Sequence, residues 1–157
     1  MNFSGQTIGV VGLGASGLAT ARWLSRHGAD LVVADSRDVP PNQAELARLA
    51  PKAVLRTGAF SAATFADCDQ LVVSPGVPLA TPEIAAFAAA GGKVMGDIEL
   101  FARVVRTLPA RLIAITGSNG KTTVTSLVGH LCREAGLNTV VAGNIGLAAL
   151  DALCEVE

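Results

Sequence analysis

The residues best suited to chemistry sit in Thr116-Gly117-Ser118-Asn119-Gly120-Lys121-Thr122-Thr123. A glycine loop that opens onto a helix turns backbone N–H groups inward, toward the positive end of the helix dipole. It therefore makes an anion site. A lysine at the loop's end reaches the β- and γ-phosphates of a nucleotide, and the hydroxyl beside it can ligate Mg²⁺. Gly117, Ser118, Asn119, Gly120, Lys121, Thr122 and Thr123 are thus candidate ATP-binding residues. Lys121 and Thr122 are the candidate catalytic pair, with Thr122 the metal ligand. The general phosphate-loop pattern asks for glycine where Ile115 stands, so this loop is tighter than the norm. A purely structural turn is the alternative.

A second glycine motif, Gly12-Leu13-Gly14-Ala15-Ser16-Gly17, fits G-x-G-x-x-G. It follows the apolar run Thr7 to Val11 and precedes a segment with Leu18, Ala21 and Leu24 at helical spacing. The next apolar run, Leu31 to Ala34, ends in Asp35, near the spacing of the ribose-binding acid of a Rossmann unit. Gly12 permits the tight turn, Gly14 lets a diphosphate approach, and Gly17 lets helix and strand pack closely. The motif in this context points to a diphosphate site without saying which diphosphate, and a Rossmann-like unit without a dinucleotide is the alternative.

Strand and helix signals alternate around both motifs. Strands are predicted at 53–56, 70–73 and 93–95, and helices over 44–49, from Thr81-Pro82-Glu83 to about Ala90, and from Ile98 to Arg106 capped by Asp97. A short helix or turn is predicted over 60–66. Strands at Leu112 to Ile115 and Asn138 to Ala142 should flank the phosphate-loop helix, with a last helix over 147–153. The fold class is α/β. Residues 1–107 read as a Rossmann-like parallel-sheet domain, and 108–157 as the start of a P-loop α/β domain joined at Leu108-Pro109-Ala110. Two strands bury too little surface to stand alone, so the second unit reads as truncated and the chain as the front of a longer enzyme.

Composition excludes several classes. Half of the 157 residues are apolar, 16% are charged, and the net charge is −1 without a basic run. No electrostatic footprint for nucleic acid is present, nor an apolar stretch long enough to span a bilayer. The start carries no signal-peptide pattern, so a cytoplasmic protein is expected. Cys68, Cys132 and Cys154 read as reduced, mostly buried thiols. His27 and Gly28 read as a helix C-terminal cap, and His130, one turn from Glu134, as a solvated side chain.

A Rossmann-like unit followed by this tight phosphate loop resembles the Mur ligase family of peptidoglycan synthesis. The resemblance spans essentially the whole chain. It is carried by Gly12 to Gly17, Asp35-Ser36-Arg37, Ser74-Pro75-Gly76-Val77-Pro78, Gly96 to Phe101, Ile115 to Thr123, and Gly143-Asn144-Ile145-Gly146. It implies three domains, with UDP-N-acetylmuramoyl-L-alanine bound by the first, ATP and Mg²⁺ by the second, and D-glutamate received by a third outside this chain. Gly14, Ala15 and Ser16 would then face the diphosphate of a UDP-sugar. Asp35, Ser36 and Arg37 would face the uracil, with Arg37 able to stack on it. Gly76 and Asn144 would line the substrate path. The implied reaction activates a carboxylate by phosphoryl transfer and closes an amide bond.

The family's further Mg²⁺-binding carboxylate would fall near Glu155 or Glu157, and its later catalytic lysine and histidine lie outside the sequence. The chain alone is therefore expected to bind the UDP-substrate without turnover. The rival readings are an NAD-dependent oxidoreductase, a related folylpolyglutamate synthetase, and a non-catalytic nucleotide-sugar-binding module.

Overall fold

The computed structural model describes residues 2–154. Five short apolar runs form β1 (Thr7–Val11), β2 (Asp30–Asp35), β3 (Val54–Thr57), β4 (Gln70–Val73) and β5 (Lys93–Gly96). They make one parallel sheet in the order β3-β2-β1-β4-β5. The chain builds outward from β1 through β2 to β3, then returns to lay β4 and β5 on the other side. The direction reverses between β1 and β4, and ligands of open α/β sheets bind at such a switch point, beyond the strands' C-terminal ends.

Both faces of the sheet are covered, as parallel strands require. Side chains alternate between the faces. Ile8, Val10, Leu31, Val33 and Val72 point to one core. Val11, Ala34, Leu71 and Val73 point to the other. The first core is roofed by α1 (Ala15–Arg26), α2 (Gln43–Leu49) and α4 (Asp97–Val105), which supply Trp23 and Leu24, Leu46, and Leu100 and Val104. The second is covered by a 3-10 turn (Ala62–Thr64) and α3 (Pro82–Ala89), through Phe65 and Ile84. α1 lies so close to the sheet that a Cβ on Gly17 would sit 1.8 Å from the Gly12 carbonyl oxygen. Only glycine fits there. Trp23 is fully buried, edge-on to Phe3 and stacked at 3.8 Å on His27. The Nδ1 of His27 meets the Trp23 carbonyl, and Gly28 takes φ +83°, as a helix cap requires.

Beyond α4 the chain differs from expectation. Residues 112–115 and 138–141 form no strand, and only Ala142 bridges to Leu147. A strand needs a neighbour to take its N–H and C=O groups, and no strand of the described residues lies beside 112–115. Leu112 and Ile113 are exposed in consequence. α5 (Lys121–Glu134) forms as predicted, but its apolar residues Val124, Leu127 and Leu131 also face solvent. α6 (Ala149–Leu153) instead packs on α1 and α4, placing Leu150 and Leu153 inside the first core. The Arg22–Asp151 ion pair at 2.5 Å reinforces that contact.

Smaller departures have local causes. Asp97 is the first residue of α4 and Gly96 its N-cap, with the Asp97 carboxylate accepting from the Ile98 N–H. Thr81 is the N-cap of α3, yet its hydroxyl donates to the Pro78 carbonyl at 2.6 Å and caps nothing. The three cysteines are free but only half-buried. Burial pushes the Cys68 thiol up to about 11, so it is a poor nucleophile.

Candidate nucleotide-sugar site and phosphate loop

Three loops meet at the C-terminal ends of β2, β1 and β4, and their long-range hydrogen bonds bind them into one body. The loop after β1 turns at Gly12, whose φ of +90° suits only glycine. A Cβ there would also press on Val77 and Ser74 at 3.0 and 3.2 Å. The Gly12 N–H donates to the Ala34 carbonyl at 2.7 Å, and the Ser74 hydroxyl donates to the Gly12 carbonyl at 3.0 Å. The Leu13 N–H donates to the Asp35 carboxylate at 2.7 Å, and the Asn42 amide donates to the Leu13 carbonyl at 3.1 Å. All four backbone polar groups of Gly12 and Leu13 are thus held by partners from other segments.

Gly14 follows as the N-cap of α1, with extended backbone and no side-chain cap, and no acid lies in the first turn. A Cβ at Gly14 would meet nothing within 4 Å, so the approach to this helix end is open. The N–H groups of Ala15, Ser16 and Gly17 lie in the first turn, where helices leave their donors unpaired. An anion placed there meets both donors and the positive end of the dipole.

Asp35 ends β2 beneath this loop and is 2% exposed. One carboxylate oxygen accepts from the Arg37 backbone N–H at 3.0 Å and from its Nε at 2.8 Å. The other accepts from the Leu13 N–H and from the second arm of Arg37, each at 2.7 Å. A carboxylate offers about four acceptor positions, and all are used. The Arg37 guanidinium chiefly, helped by the Leu13 N–H against the cost of burial, holds the Asp35 carboxyl at about 2. The Arg37 side chain is 54% exposed, so its planar guanidinium is fixed at one edge and presented to solvent on its faces. Ser36 is exposed beside it, and Gly76 is exposed on the loop after β4, where a Cβ would meet nothing within 4 Å.

The phosphate loop is a second, separate element. Gly120 is the left-handed N-cap of α5, at φ +73°, and no side chain caps the helix. Gly117 takes φ +156°. Lys121 folds its ammonium back over the loop, donating to the carbonyls of Gly117 at 2.5 Å and Ser118 at 3.1 Å. Ser118, Asn119, Thr122 and Thr123 are exposed around it. Asn144 is exposed in the turn that the Gly143 N–H closes on the Leu147 carbonyl at 2.9 Å. Glu155 and Glu157 lie outside the described residues.

Sequence reasoning missed Ser74 and Asn42 as structural partners of the first loop. They lie 62 and 29 positions from the residues they hold, and no local pattern announces either.

Two family profiles match the chain, one over each motif. The profile described as Mur ligase MurD-like, N-terminal domain matches residues 6–96, and the Mur ligase middle domain matches residues 115–153. A UDP-N-acetylmuramoylalanine--D-glutamate ligase of Chromobacterium violaceum is 60% identical over 157 residues, covering 100% of this chain and 35% of that protein. One of the same name from Thiobacillus denitrificans is 53% identical over 169 residues, covering 100% of this chain and 36% of that protein. The chain therefore spans about a third of the length of these curated relatives. Among solved structures, the UDP-N-acetylmuramate-alanine ligase of Thermotoga maritima has a TM-score of 0.57 at 23% identity, covering 83% of this chain and 30% of that one. At that identity the likeness speaks for the fold. The motif Gly12 to Gly17 after β1 and the motif Gly117 to Thr123 before α5 fall within these matched ranges, and the chain belongs to the MurD-like Mur ligases.

Proposed function

We propose that this chain is the front portion of an ATP-dependent ligase that joins D-glutamate to UDP-N-acetylmuramoyl-L-alanine in peptidoglycan synthesis in the cytoplasm. The observation that carries the reading is a convergence at one end of the sheet. The open N-terminus of α1, the Asp35-anchored Arg37 and the Gly76 loop meet there, in a chain whose relatives bear that ligase's name. Residues 1–107 bind the UDP-substrate, and 108–157 open the ATP domain, with α6 returning to pack on the first.

In this reading the N–H groups at Gly14, Ala15 and Ser16 take the diphosphate. Arg37 offers a planar face to the uracil, and Asp35 acts by holding it. Gly76 and Asn144 line the sugar path. Because every acceptor position of Asp35 is occupied, a ribose hydroxyl of NAD finds none there. That favours the UDP reading over the oxidoreductase.

The phosphate loop fits ATP and Mg²⁺. α5 starts with an uncapped first turn, Lys121 has only loop carbonyls as partners among the described residues, and the Thr122 hydroxyl is exposed. Bound there, ATP with Mg²⁺ supplies the γ-phosphoryl group that activates the substrate carboxylate as an acyl phosphate, from which the D-glutamate amine displaces phosphate. Lys121 screens the repulsion between two anions brought together. The loop amides of Gly117 to Thr123 hold the phosphates in line.

Calorimetric titration with UDP-N-acetylmuramoyl-L-alanine, with NAD⁺ in parallel, tests the reading. Binding of the UDP-sugar, lost in Arg37→Ala, with no heat from NAD⁺, is the expected result. Binding of NAD⁺ alone would overturn it in favour of an oxidoreductase.

A further inference from the structure

The four anchors of Gly12 and Leu13 differ in kind. Two are fixed by the sheet itself: the Ala34 carbonyl at the end of β2, and the Asp35 carboxylate beside it. Ser74 stands directly after β4. Asn42 alone comes from outside the strand ends. It follows Pro40-Pro41 and is the N-cap residue of α2, yet its side chain makes no cap bond there. An N-cap asparagine ordinarily accepts from an N–H of its own helix, and omitting that bond forgoes stability. Here the side chain reaches away and donates 3.1 Å to the Leu13 carbonyl. Only the amide nitrogen can serve a carbonyl, so the orientation is unambiguous.

The peptide groups on either side of Leu13 are thereby gripped, the N–H by Asp35 and the carbonyl by Asn42. The carbonyl of Leu13 belongs to the peptide whose N–H is that of Gly14. Fixing that carbonyl fixes the direction in which the Gly14 N–H points, because the peptide unit is planar. Gly14 cannot fix this itself: it has no side chain, and nothing stands within 4 Å of where one would be. We propose that Asn42 is a positioning residue for the diphosphate, setting the Gly14 peptide so that its N–H joins those of Ala15 and Ser16 in aiming at one point. The proposal rests on the UDP-substrate reading of this loop. It adds a residue that touches no part of the ligand yet determines how tightly the diphosphate is held.

Asn42→Asp keeps the shape and removes the donor but adds a negative charge, so its loss of UDP affinity counts only where Asn42→Ala shows the same loss. Asn42→Ala is the second variant. UDP and uridine are titrated against wild type and both variants, alongside backbone amide NMR order parameters at Gly14, Ala15 and Ser16 without ligand and the thermal midpoint. The expected result is UDP affinity weaker by about threefold to tenfold, uridine affinity unchanged, a lower order parameter at Gly14, and a similar midpoint. A merely structural role would lower the midpoint and weaken both ligands together. Unchanged UDP affinity and an unchanged Gly14 order parameter in both variants would overturn the proposal. If wild type binds no UDP, the UDP-substrate reading fails by itself. The Gly14 order parameter then decides whether Asn42 sets the loop: a fall in the variants supports it and no change overturns it.

Discussion

Arg37 meets Asp35 fork to fork, Nε to one carboxylate oxygen at 2.8 Å and a terminal nitrogen to the other at 2.7 Å. Beneath them the same carboxylate takes the Leu13 N–H. One buried acid thus ties a solvent-facing arginine to the loop that precedes Gly14.

This arrangement makes stability depend on acid in a defined way. The Asp35 carboxyl lies at about 2 when folded, against an ordinary 3.8. A depressed carboxyl contributes stability that is fully present above the unfolded value and is lost as pH falls through the folded one. The window is therefore about pH 4 to pH 2, and the contribution is on the order of 2 kcal/mol. Water around the half-exposed Arg37 trims the ion-pair share of it. Asp35→Asn should lower the thermal midpoint at pH 7 and flatten its change between pH 4 and pH 2. An equally steep acid response in Asp35→Asn would show that other carboxyls govern it.

Two glycines of one motif should respond oppositely to alanine. Gly17→Ala forces a Cβ to 1.8 Å from a backbone oxygen and should destabilise by about 1–3 kcal/mol or more. Gly14→Ala meets open space, so the midpoint should hold while UDP affinity falls by about tenfold or more, the methyl occupying the diphosphate's place. Thermal melts and calorimetry on both variants check this. A stable Gly17→Ala protein would mean that α1 can lift from the sheet.

Lys121 is exposed and, among the described residues, hydrogen-bonds only to loop carbonyls. Lys121→Ala should shift stability by no more than about 0.5 kcal/mol. It should weaken Mg-ATP binding by about tenfold or more, read with a fluorescent ATP analogue. D-glutamate-dependent phosphate release is expected from neither wild type nor variant, since the phosphate loop stands open to water on a helix whose apolar side is uncovered. Turnover by the chain alone would refute that.

Two leucines of the last third give a second contrast. Leu153 is 1% exposed in the first core, and Leu127 is 54% exposed on α5. Leu153→Ala should cost about 2–5 kcal/mol, and Leu127→Ala no more than about 0.5 kcal/mol. Denaturant titration of both would show whether α6 belongs to the same cooperative unit as the sheet.

The sheet was legible because its signal is local. Apolar runs such as Gln70 to Val73 and glycine turns such as Gly12 need only their own neighbours to be read. Leu112 to Ile115 carries the same signal, but a strand exists only where another strand accepts its hydrogen bonds, and that is not written in four residues. The site divides the same way. Gly14, Arg37 and Lys121 follow from motif spacing, whereas the saturation of Asp35 and the reach of Asn42 depend on where distant segments come to rest. Asp35 reads as an acid awaiting a ligand, and folding spends its acceptors on the protein itself.

The docking of α6 also bears on the order in which the molecule can be made. A nascent chain has emitted all five strands once Gly96 leaves the ribosome. Yet the face of α1 and α4 that Leu150 and Leu153 seal stays wet until more than fifty further residues emerge. During that interval the side of α1 and α4 that later receives Leu150 and Leu153 is apolar surface facing water.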